Sequence, residues 1–248
     1  MSEISDWFNS LPFFTRYWFG GTLALSLLGR FGLVPGQWLI LNYTQIFSHF
    51  EIWRPITALF FYPISPQTGF HFLLNCYFLI NYSKLLENGE YQTVPADYAL
   101  LLLMNWISCV VFGLFMNIMV LMDPMVLSVL YVWCNLNADT IVSFWFGTQF
   151  RAKYLPWVLF GFNLILSGGG VHELIGILVG HLYFFLKYQY IQQYGGQELI
   201  STPTFLQNWF PPRRGVAGFG QPPPGRPAAA AGAGGGGHGW GRGNTLGG

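Results

Sequence analysis

Charge is the scarcest commodity in this sequence. Of 248 residues, 11 are Lys or Arg and 10 are Asp or Glu, 8% together, where soluble domains carry roughly 25%. So few charges cannot cover the surface of a water-soluble globule. A net charge of +1 provides no basic footprint and excludes nucleic acid as a partner. Cys76, Cys109 and Cys134 all fall in apolar stretches, so a disulfide framework is excluded and small buried side chains are expected. No Gly-x-x-x-x-Gly-Lys-Ser/Thr loop occurs, so the chain has no nucleotide site of that kind; no cofactor or metal is expected. Inverted repeats and intramembrane charges are not evident either, which speaks against a small-solute transporter.

What the chain has instead is apolar surface: 52% hydrophobic and 19% aromatic residues. No Asp, Glu, Lys or Arg occurs at 17–29, 55–83, 98–122, 124–138, 154–172 or 174–186. A helix needs about 20 residues to cross a bilayer core, fewer where neighbours shield it or the bilayer thins. The pattern predicts six spans, at about 15–33, 66–84, 98–119, 122–138, 154–169 and 171–190. The N-terminal stretch is mildly acidic at Glu3 and Asp6, unlike a cleavable signal peptide, so the first span is expected to stay. An even number of spans puts both termini on one side. With that side cytosolic, Arg16, Lys84, Arg151, Lys153 and Lys187 lie inside and Arg30 and Arg54 outside, as the positive-inside rule favours.

The fold expected is therefore an all-α polytopic membrane protein: a membrane domain at 1–195, a juxtamembrane segment at 196–214 and a tail at 215–248. The 34–65 loop is rich in aromatics and is expected to lie in the outer interface. The 139–153 segment is expected to lie likewise at the cytosolic headgroups. The tail is dominated by glycine and proline, too poor in apolar surface to offset chain entropy, and is expected to be disordered.

Polar groups in membrane segments are the functional candidates, because each is costly there. Trp53-Arg54 is either a rim tryptophan with a snorkelling arginine or a pin, with Arg54 donating to loop carbonyls. His71 and Asn75, four apart, share one helix face and are expected to line a polar cavity. Gly176-x-x-x-Gly180-His181 permits close helix contact, as simple packing or as a lateral gate.

These features resemble the rhomboid fold: a Trp-Arg pair in a submerged first loop, Asn75 in the second span and Gly-x-x-x-Gly in the sixth. Ile52 to Thr57, Pro95 to Tyr98, Tyr131 to Trp133, Leu155 to Trp157 and Gly176 to Phe185 are more specific, and resemble the derlin family. The resemblance implies a six-helix rhomboid-like bundle in the endoplasmic reticulum membrane, a pseudoprotease that helps carry misfolded proteins to the cytosol for degradation. It also implies work beside ubiquitin ligase complexes and as a homo- or hetero-oligomer. A divergent active intramembrane protease is the alternative.

The residues speak against that alternative. An active rhomboid needs Gly-x-Ser-Gly on the fourth span and a histidine three residues before the first glycine of the sixth-span pair. Ser128 instead lies between Leu127 and Val129, and Glu173 occupies the histidine position. Ser128 is expected to bond back to its own helix. His172 is one residue off, turned about 100° round the helix. No catalytic residue is expected. In the tail, Trp240, Gly241, Arg242, Gly243 and Leu246 resemble the motif by which derlins bind the p97-type AAA ATPase, a large anchor and a leucine spaced by glycines that allow strand addition.

Overall fold

The computed structural model describes residues 2–143, 147–167, 170–190, 193 and 199–213. Among them the chain is mostly helical. Short α1 (Ser2–Ser10) precedes α2 (Phe13–Arg30). Pro12 enters α2 without a capping side chain, and the cap comes from a distant element. The carboxylate of Glu87 accepts from the Phe14 and Thr15 amides at 3.0 and 2.9 Å. Glu87 is buried, and the positive end of the helix offsets its charge. Thr15 continues this buried chain to Ser83, and Ser83 to the Tyr98 hydroxyl, each at 2.7 Å.

The segment expected as one long loop, 34–65, folds instead into three short helices: α3 (Gly36–Leu39), α4 (Tyr43–His49) and α5 (Arg54–Phe60). The reason is local. Asn42 caps α4 by accepting from the Thr44 and Gln45 amides, and Pro55 is preorganised for the first turn of α5. Trp38, Phe47, Phe50 and Trp53 remain exposed, as rings in a membrane interface would be.

Two long helices and three shorter ones build the rest of the bundle: α6 (Gly69–Asn88), α7 (Pro95–Met116), α8 (Met122–Leu136), α9 (Leu155–Ser167) and α10 (Val171–Phe184), the last continued by a π turn at Phe185–Gln189. Helices thus occupy each of the charge-poor stretches. Of the described helices, α7 has the length and apolarity to cross a bilayer on its own. At 15 residues, α8 is only about 22 Å long, yet Met122 and every residue from Pro124 to Cys134 are buried. A helix wrapped by its neighbours need not match the bilayer.

The all-helical expectation fails at 139–153. There β1 (Ile141–Ser143) pairs antiparallel with β2 (Gln149–Arg151), Val142 opposite Phe150. Ile141 and Val142 are β-branched strand formers, and Gly147 has a positive φ that other residues resist.

On the same side as the start of α7, α11 (Thr204–Trp209) docks its Leu206 among Ala96, Ala99 and Leu100. The Phe210 ring lies tilted on that of Phe14, their centroids 4.8 Å apart. Asp97 accepts from Thr202 and faces Lys187 at 3.9 Å, and the Arg213 amide donates to the Thr93 carbonyl. The described part of the juxtamembrane segment, 199–213, is therefore bound to the bundle. The whole 215–248 tail, with Trp240, Gly241, Arg242, Gly243 and Leu246, lies outside the described residues.

Candidate functional site

Four helices converge where α6, α8 and α10 begin. His71 and Asn75 project from one face of α6, Asp123 from the first turn of α8, Glu173 from the first turn of α10 and Asn163 from α9. Together with apolar neighbours they line one interior cavity. Its space is about 20 Å³, room for roughly one water molecule. Among the described residues, no Lys or Arg lines it.

The hydrogen bonds fix the ring between two carboxylates. Burial pushes the Tyr62 phenol up from its ordinary value, and its hydroxyl hydrogen-bonds with His71 Nδ1 at 2.8 Å. Asn75 Nδ2, which can only donate, faces the same Nδ1, so an accepting Nδ1 with the ring's proton on Nε2 satisfies both contacts. Nε2 then faces Glu173 Oε1 at 3.9 Å, while Nδ1 lies 3.9 Å from Asp123 Oδ1. Asn75 Nδ2 donates to Asp123 Oδ1 at 2.6 Å and lies 3.2 Å from His71 Nδ1. Asn163 Nδ2 donates to Glu173 Oε1 at 2.7 Å. Both carboxylates occupy first turns, where the helix dipole favours negative charge.

His71 and Asn75 do share a cavity, but with partners the sequence reading missed: Tyr62, Asp123, Asn163 and Glu173. In the sequence Asp123 and Glu173 only delimit apolar stretches, near span ends, whereas in the structure both line this cavity. A carboxylate bounding two apolar runs was the available signal.

The catalytic positions hold no nucleophile-base pair. Ser128 is fully buried, donates to the Met125 carbonyl of its own helix at 2.8 Å and accepts from Asn105 at 3.0 Å. In the histidine position, Glu173 is engaged by Asn163.

The other candidates lie apart from the cavity. Arg54 is 4% exposed, and its Nη1 donates to the Gln37 and Ile40 carbonyls at 2.6 and 3.0 Å, while Nε pairs with Glu51. Trp53 is exposed beside it. Gly176 and Gly180 face α8: a Cβ on Gly176 would lie 2.8 Å from the Pro124 carbonyl oxygen, and one on Gly180 2.7 Å from that of Ser128. The pair therefore packs closely against α8. His181 bonds Tyr131 through Nδ1 at 2.9 Å.

Against known proteins, the sequence model of the Der1-like family matches residues 11–204. Derlin-1 of Homo sapiens is 54% identical over 249 residues, covering 100% of this chain and 99% of the relative. Derlin-1 of Caenorhabditis elegans is 51% identical over 213 residues, 86% of each chain, and Derlin-1 of Drosophila melanogaster 46% over 242 residues, 97% of each.

Proposed function

This chain belongs to the Der1-like family, and from that premise we propose a conduit that does no chemistry itself: a six-helix rhomboid-like bundle gives misfolded proteins passage, and a tail-bound ATPase drives it. The chain is a multi-pass endoplasmic reticulum membrane protein of ER-associated degradation, a pseudoprotease active in retrotranslocation. The observation that carries the conduit reading is the interior cavity, which sets polar groups of four helices in a membrane domain where no nucleophile accompanies them.

Polar groups in that position lower the cost of passing a backbone whose own groups lipid cannot satisfy. At about 20 Å³ the cavity admits no polypeptide, so passage requires the helices around it to part. Trp53 and Arg54 hold the outer loop, Gly176, Gly180 and His181 keep α10 on α8, and opening starts from that arrangement. Trp240, Gly241, Arg242, Gly243 and Leu246 recruit the p97-type ATPase, since nothing in the sequence resembles a phosphate loop of its own. Ubiquitin ligase complexes and further copies of the chain complete the assembly.

Both termini face the cytosol in this reading. Protease added to sealed microsomes should remove a tag placed after Gly248, and a protected tag would reverse the orientation. Inertness is tested by Ser128→Ala in cells lacking their own copy. Client half-life should match that of the wild-type rescue, and the purified chain should take no fluorophosphonate label. Clearance lost with Ser128→Ala at normal protein level would restore the protease reading.

A further inference from the structure

Beside the polar cavity lies a second, larger space. An apolar groove of about 400 Å³ runs along α6, bordered by Phe70, Leu73 and Tyr77 and closed by Leu155 at the start of α9. Phe70, Leu73 and Tyr77 are half or more exposed, so the groove is open along its length. Leu74 and Phe78 line both the groove and the polar cavity. Those two side chains are the partition between an apolar trough and the Asp123 and Glu173 carboxylates.

We propose that this paired site receives membrane-spanning client segments that carry a basic residue, the apolar part of the segment lying in the groove and its Lys or Arg head reaching the two carboxylates. The inference rests on the conduit reading above and names the client class for it. Charge complementarity selects the occupant. The groups facing the cavity are His71 from α6, Tyr62 from the segment before it, Asp123 from α8, and Glu173 and its neighbour His172 from α10. Two are carboxylates and none is Lys or Arg.

A basic side chain left in lipid is costly and seeks a partner. Its long apolar stem lets the charged head travel while the stem stays on apolar surface. Rotation of Leu74 and Phe78 joins the two spaces, and the Asn75 and Asn163 amides already orient the carboxylate oxygens. A segment with an acidic residue meets like charge at the same place, which supplies the repulsive half of the selectivity.

The test uses a single-spanning reporter with Leu, Arg or Asp at one position of its membrane segment, near the end that meets the start of α6. A photocrosslinker sits at a flanking position. Full-length chain is used in microsomes as wild type, as Asp123→Asn with Glu173→Gln, and as Glu173→Lys. On the wild type the Arg reporter should crosslink to α6 and α9 about tenfold more than the Leu reporter, and the Asp reporter least. The neutral pair should bring the Arg-to-Leu ratio close to one, and Glu173→Lys should shift preference toward Asp. That reversal cannot come from a chain that merely fails to fold.

A ratio unchanged across the variants overturns the inference, as do crosslinks that land on a second copy of the chain in the groove. Clearance of a soluble luminal client by the wild type is followed in parallel. If it proceeds while the ratio stays flat, charge recognition alone is wrong. If the wild type does not clear it, the conduit reading falls and this inference with it.

Discussion

Arg54 shows how one residue organises a segment that sequence pattern leaves shapeless. Its guanidinium bridges the Gln37 and Ile40 carbonyls and the Glu51 carboxylate, three points spread over the outer segment. A planar fork with five donors suits this geometry, and an ammonium does not. Replacing it with alanine strands two carbonyls and leaves Glu51 without its partner, at a cost of about 2–3 kcal/mol. Arg54→Ala should lower the thermal midpoint of the detergent-solubilised chain, and Arg54→Lys should recover only part of the loss. Equal midpoints for all three would reduce the pin to a surface residue. The same scale holds the reason the site was half legible. His71 and Asn75 are recognisable because four residues separate them on one helix. Asp123, Asn163 and Glu173 lie on three other elements, and only packing brings them to that pair.

At the scale of elements, the seam between α8 and α10 brings Gly176 and Gly180 against the backbone of a neighbouring helix. A Cβ at Gly180 would come within 2.8 Å of Tyr131 Cβ and 2.7 Å of a backbone oxygen, so relief requires moving a helix rather than a rotamer. Gly180→Leu should insert in the membrane but lose about 1–3 kcal/mol or more of stability, and clients should stall because α10 no longer seats on α8. Normal client clearance with Gly180→Leu would show that the seam plays no part in passage. The helices themselves were legible from their charge-free stretches, since a long uncharged apolar run has few other uses. The three short helices and the hairpin were not. They depend on the Asn42 cap, on Pro55 and on a positive φ at Gly147, signals only a few residues long inside segments read for their aromatic content.

At the scale of the whole molecule, the proposed mechanism divides the work between the membrane domain and the tail. The bundle holds the polar cavity, and α11 binds the segment leading to the tail onto α7 through Leu206, Asp97 and Thr93. The central claim is that energy enters through Trp240 and Leu246 while the core only conducts. Losing a buried aromatic anchor at an interface costs on the order of 2 kcal/mol, roughly a thirtyfold loss of affinity. The most direct measurement is co-precipitation of the AAA ATPase with the Trp240→Ala, Leu246→Ala double variant, read beside client half-life and beside Gly180→Leu. The account predicts that the tail variant inserts normally, loses the ATPase and lengthens client half-life, while Gly180→Leu keeps the ATPase and holds clients in a trapped complex. Full ATPase recovery with the tail variant would contradict it.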